Sequence, residues 1–120
     1  MNPRPLLLTS ALLLLAAPQA PPVETPPARK VGAAVLSALE VTPRVRVLVA
    51  LREPTTSVSA LTERMAEVEA TQAGVLERLA AADFRLTNRW ETISAVAGDV
   101  TPRGLLDLAR DPDVLRIDLD

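Results

Sequence analysis

The side chains in this sequence that could do chemistry are carboxylates, and they come in pairs: Glu67 with Glu69, Asp111 with Asp113, and Asp118 with Asp120. Two carboxylates held together can divide acid and base work between them, or collect Ca²⁺ through oxygen ligands. Glu67 and Glu69 lie two apart on a helical stretch, a spacing that sends them to different sides. Asp111 and Asp113 flank Pro112 in a turn, where aspartate commonly stabilises the backbone. The four aspartates from Asp111 onward lack the spacing of an EF-hand loop, so no metal is expected. Histidine and cysteine are absent, which removes the usual general base, the commonest transition-metal ligand, and any thiolate or disulfide. The residue types therefore point to a noncatalytic protein without a cofactor.

The elements that position these residues follow from hydrophobic periodicity. Arg44 to Arg52 alternates, with Val45, Val47, Val49 and Leu51 on one face and Arg46, Leu48, Ala50 and Arg52 on the other, which predicts a strand ended by Glu53-Pro54. Thr55 to Ser59 is rich in helix-capping residues. From there Leu61, Met65, Val68, Gln72, Val75 or Leu76, and Leu79 recur at helical spacing, predicting one long helix to about Ala82. Gly74 inside it marks either a close packing contact or a soft spot.

A second strand is predicted from Phe84 to Trp90, with Phe84, Leu86 and Trp90 inward, Arg85, Thr87 and Arg89 outward, and a bend near Asn88. A third runs from Thr92 to Asp99 with Ile93, Ala95 and Ala97 inward, leaving Ser94 and Val96 outward. Thr101-Pro102 opens a short helix buried through Leu105, Leu106, Leu108 and Ala109, and Asp111-Pro112 closes it. The last strand, Val114 to Leu119, places Leu115, Ile117 and Leu119 on one face and Arg116 and Asp118 on the other, with Asp120 continuing the Asp118 side. The predicted fold class is α+β: a ferredoxin-like βαββαβ unit, its antiparallel sheet covered by two helices on one face and partly bare on the other.

Ahead of that unit, Arg4 and the apolar run Leu6 to Ala17 read as an export signal over residues 1–20. About 20 apolar residues are needed to span a bilayer, so the run is too short to cross. Prolines follow both Ala17 and Ala20, which makes each a poor cleavage site, so the segment can also remain as an anchor. Residues 21–43 read as a proline-rich linker with a short helix within Val31 to Leu39. The expected location is outside the cell, or in the periplasm or cell envelope, with no membrane contact after signal removal. Net charge is −2 and the chain has one Trp and one Phe, which lacks both the basic field and the stacking aromatics of a nucleic-acid binder.

Two stretches, Val45-Arg-Val-Leu-Val-Ala-Leu-Arg-Glu-Pro54 and Val96 to Asp120 with its Asp111-Pro-Asp-Val114 followed by an apolar and acidic strand, carry a family resemblance. With the long helix between them, residues 44–120 resemble the propeptide domain of subtilisin-like serine proteases, the inhibitor I9 family, here in stand-alone form. The resemblance implies a folding chaperone and inhibitor that lays the open sheet face on two surface helices of its protease. It also implies that acidic side chains at the end of the last strand cap the N-termini of those helices; matched from the Asp-Pro pair, these fall on Asp118 and Asp120, with Leu119 between them. The expected contact surface adds Arg46, Leu48, Arg85, Thr87, Arg89, Ser94 and Val96. In the family a short tail continues past this strand into the active-site cleft. The sequence ends at Asp120, a departure that weakens competitive inhibition more than docking. The expected partner is a subtilisin-like serine protease, and the free domain is expected to be a monomer.

Two other classes are open to the same fold. One is a general envelope interaction or dimerisation module, which would self-associate without affecting proteases. The other is an enzyme of acylphosphatase type, which needs a loop of backbone amides to cradle phosphate. The first strand leads instead into Glu53-Pro54-Thr55-Thr56, with no glycine-rich cradle.

Overall fold

Period-two alternation of valine with longer or polar residues produces β1 (Val45–Leu51), and a computed structural model, which describes residues 26–54 and 60–120, places it inside the sheet. The long helix α3 (Leu61–Glu77) follows, though two short helices precede β1: α1 (Pro27–Lys30) and α2 (Ala33–Leu39). Beyond α3 come β2 (Phe84–Arg89), β3 (Ala95–Val100), α4 (Pro102–Arg110) and β4 (Val114–Leu119). From β1 onward the order is βαββαβ, and the sheet runs β2-β3-β1-β4 with every neighbouring pair antiparallel. The architecture is α+β with a four-stranded antiparallel sheet, compatible with the expected ferredoxin-like arrangement.

One face of the sheet carries the core. Val45, Val47, Val49 and Leu51 of β1 cluster there with Val96 and Val100 of β3, Phe84 of β2, and Val114 and Ile117 of β4. The helices contribute Val35 from α2, Val75 from α3, and Leu105, Leu108 and Ala109 from α4 to this same cluster. Helix α4 begins as its sequence predicts: the Gly104 N–H donates to Thr101 Oγ1 at 3.1 Å, and Pro102 occupies the first turn.

Four local expectations are corrected by the packing. The segment Pro26–Leu39 is part of the folded body. Val31 bridges Ile117 in parallel, the Gly32 N–H donates to the Ile117 carbonyl at 2.8 Å, and Val35 is fully buried. Lys30 is buried too, and its ammonium donates to the Asp111 carbonyl beyond the C-terminus of α4, where a cation suits both the orphan carbonyls and the helix dipole. A chain segment laid along β4 also protects that sheet edge from unwanted pairing.

Helix α3 stops at Glu77, five residues short of Ala82, in a tight turn where the Arg78 N–H reaches the Val75 carbonyl. The Arg78 side chain is drawn away to Asp111 and Asp113, at 2.8 to 3.0 Å. A methyl on Gly74 would meet only the tip of Arg78, at 3.4 Å, so no close helix contact requires this glycine. The capping residues Thr55 to Ser59 and the signal over residues 1–20 lie outside the described residues, as do residues 21–25 of the expected linker.

In β3 the facing is reversed from the expected one. Val49 stands opposite Val96, and Val47 opposite Gly98, so Val96 points into the core while Ala95 and Ala97 belong to the other face. Ile93 lies in the loop before the strand and is half-exposed, which explains the error: a count begun at Ile93 is out of phase with the ladder, and a one-residue slip exchanges the two faces.

Two bulges correct the outer strands. In β2, Leu86 pairs with Gly98 but Asn88 pairs with Ala97, leaving Thr87 as the extra residue near the bend expected at Asn88. Arg85 consequently faces away from the helices as expected, whereas Arg89 is turned toward them. In β4, Val114 pairs with Leu51 and Arg116 with Ala50, so Leu115 is the extra residue. Val114 takes the buried position expected for Leu115, which is left half-exposed.

Candidate protein-binding face

The face of the sheet opposite the core is built from alternate residues of all four strands. Cross-strand register sets Arg85, Asp99, Arg46 and Asp120 in one row, since Arg85 pairs with Asp99, Asp99 with Arg46, and the Asp120 N–H donates to the Arg46 carbonyl. A second row holds Asn88, Ala97, Leu48 and Asp118, and a third Ala95, Ala50 and Arg116. The centre is thus Leu48 among three alanines, and Leu48 is 37% exposed. Ala95 and Ala97 are themselves buried, because a methyl on an inner strand stands low between longer cross-strand neighbours.

Charge alternates along the first row. The Arg46 Nε–H donates to Asp99 Oδ1 at 3.1 Å, and Arg85 Nη2 donates to Asp99 Oδ2 at 3.3 Å. The Arg46 hydrogen bond is the main reason that the Asp99 carboxyl is held below its ordinary range; the Arg85 bond adds to it, and partial desolvation opposes both. The Arg46 guanidinium is raised in turn, chiefly by the same bond, with Asp120 contributing through charge alone. In β4, Arg116 Nε–H donates to Asp118 Oδ2 at 2.7 Å and is likewise raised by that bond. Asp118 is therefore shared with Arg116, while the Asp120 side chain makes no hydrogen bond or ion pair among the described residues.

A carboxyl whose folded pKa is depressed contributes stability that is present above its unfolded pKa and lost as pH falls through the folded one. Asp99→Asn is therefore expected to lower the urea midpoint at pH 7, and the gap from the parent is expected to close as pH drops below 3.8, the ordinary aspartate value. The two arginines that hold Asp99 are exposed, so the effect is small. A gap of equal size at pH 7 and in acid would show that Asp99 acts by packing and not by charge.

Of the contact residues expected from sequence, Arg46, Leu48, Arg85, Asp118 and Asp120 come together on this face. Thr87 is exposed at the β2 bulge. Four do not join them. Val96 is buried in the core. Ser94 is buried, its hydroxyl donating to the Arg52 carbonyl at 2.8 Å, where it ties the β2–β3 loop to the end of β1. Arg89 lies on the helical side, with Nε–H donating to Gln72 Oε1 at 3.0 Å. Leu119 pairs with Val47, which sets it on the helical side, 43% exposed near the end of β4.

Sequence reasoning missed Asp99, which organises the charged row, and Arg116, which occupies Asp118. It also read Gln72 as one more member of an apolar stripe. Gln72 is fully buried, and its amide donates to the carbonyls of Trp90 at 2.8 Å and Ala95 at 3.0 Å while accepting from Arg89. The signal for it was available: a glutamine on the buried side of a helix must satisfy both ends of its amide.

Of the carboxylates considered for chemistry, Asp111, Asp113 and Asp118 are held by arginine. Arg78 grips Asp111 through both oxygens and also reaches Asp113, which pairs with Arg52 as well. Asp111 Oδ1 further accepts from the Asp113 N–H, the turn-stabilising use of aspartate. Among the described residues no group of three or more His, Cys, Asp or Glu is placed to hold a metal ion. No family model matches this chain, and no curated protein or solved structure matches it either.

Proposed function

We propose that this chain is a noncatalytic, secreted domain that binds a subtilisin-like serine protease, as inhibitor or folding chaperone, through the face of the sheet that its helices leave uncovered. The observation that supports this reading most is the make-up of that face: Leu48 among Ala50, Ala95 and Ala97, a flat centre that a partner helix can approach closely, bordered by Asp118 and Asp120. Two carboxylates at one border suit the N-termini of partner helices, where backbone N–H groups lack acceptors and the dipole favours an anion. The contact set consistent with the register is Arg46, Leu48, Arg85, Asp118 and Asp120, joined by Asp99 and Arg116. Secretion belongs to the same proposal and rests on the run Leu6 to Ala17. No helix among the described residues is long and apolar enough to cross a membrane.

The test is titration of a panel of subtilisin-like proteases with the full chain and with an Asp118→Ala/Asp120→Ala variant. The parent is expected to bind and inhibit at least one member. The double substitution is expected to weaken binding roughly tenfold, the size of two helix-terminus interactions. Absence of both binding and inhibition across the panel would refute the proposal and favour the second reading, a general interaction module.

A further inference from the structure

A second apolar surface lies on the other side of the molecule, between the N-terminal helices and α4. It is a groove of about 880 Å³ whose walls include Val31, Leu36, Leu39, Leu105 and Leu106, with Glu40 and Arg110 among its lining residues. Leu105 is buried, but Leu36 is 51% exposed and Leu106 is 45% exposed. Two large apolar side chains thus stand beside a hollow that neither fills. The Glu40 and Arg110 side chains make no hydrogen bond or ion pair among the described residues. Both are exposed, whereas six other arginines, Arg46, Arg52, Arg64, Arg78, Arg85 and Arg116, are held in ion pairs.

We propose that this groove is a self-association face, and that its occupant is a second copy of this chain related by a two-fold axis. A two-fold interface requires a patch complementary to itself, so that residue i of one copy meets residue j of the other and the reverse. This patch carries both halves of each such contact: a hollow with projecting leucines, and an unpaired carboxylate with an unpaired guanidinium. In the pair, Leu36 and Leu106 of each copy enter the hollow of the other, and Glu40 meets Arg110 twice. The apolar run Leu6 to Ala17 of the chain itself is a poorer occupant, because residues 5–23 contain no charged residue to answer either Glu40 or Arg110. Joined by their helical sides, the two copies keep both uncovered sheet faces outward. The association does not depend on the protease reading, since it uses different residues, and it departs from the monomer expected from sequence.

Sedimentation velocity of the full 120-residue chain over a concentration series tests it. The parent is expected to shift reversibly from monomer to dimer. Glu40→Arg and Arg110→Glu, each placing like charges against each other twice, are each expected to weaken the dimer about tenfold. The exchange Glu40→Arg/Arg110→Glu is expected to restore it. Both positions are exposed, so circular dichroism melts should match the parent throughout. A chain that stays monomeric at every concentration, as it would with its own N-terminal run in the groove, overturns the proposal. So does association that neither single substitution weakens, which would place the contact on the sheet face or the apolar run, or a double exchange that fails to restore it.

Discussion

Ile117→Ala is expected to unfold most of the free protein at temperatures where the parent is folded. Ile117 is fully buried and paired with Val49 across the sheet, and its backbone receives the Gly32 N–H while Val31 bridges alongside. Truncation leaves a cavity at the point where the N-terminal segment, β4 and β1 meet. Losses for such a change run to about 2–5 kcal/mol, against a net stability of roughly 5–15 kcal/mol for an ordinary domain. The core here is thin, made largely of valine and without disulfides, which places it toward the low end of that range. Because a ligand that binds only the folded form stabilises it by mass action, a protease bound as proposed above is expected to restore part of the lost melting temperature. Circular dichroism melts of parent and variant, with and without protease, measure both effects. Coincident melts of the free proteins would mean that Ile117 carries no such weight.

Gly98→Ala is the second large effect expected, for the opposite physical reason. Gly98 lies on the core side of β3, between Val47 and Leu86, and the Phe84 ring rests against it. A methyl there would stand 2.5 Å from Phe84 Cζ and equally close to the Arg85 carbonyl oxygen. The ring is buried and the carbonyl is part of β2, so neither yields without disturbing the β2–β3 ladder. Overpacking of this kind costs about 1–3 kcal/mol. Adding Phe84→Leu is expected to return part of the loss, because it removes the ring contact and leaves the carbonyl one. A double-mutant cycle by urea denaturation reads the coupling directly. Strictly additive losses would show that ring and glycine do not compete for the same space.

These two residues also show how much of the molecule could be read before folding it. Ile117 was legible, since the alternation of β4 already set it inward. Gly98 was not: nothing in Val96-Ala-Gly-Asp-Val100 says that an aromatic ring from another strand lies over its third residue. The same division runs through the candidate face. Arg46 and Leu48 face outward as the alternation predicts, because β1 keeps its period without interruption over seven residues. Arg89, Ser94 and Val96 depart from the outward facing that alternation predicts, because each lies past a bulge or next to a loop, where counting by twos loses phase with the ladder.

Local pattern is therefore enough for the list and order of elements from β1 to β4, the start of α4 at Thr101-Pro102, and an acidic end to the last strand. Those features depend on side-chain period and on capping chemistry, which act within a few neighbouring residues. Tertiary structure alone decided the docking of Pro26–Leu39 against β4, the phase of β3, the two bulges, the service of Asp99 to two arginines, and the groove between α2 and α4. Each of these depends on which residue of one strand or helix stands opposite which residue of another. A local pattern carries no record of that pairing until the chain closes on itself.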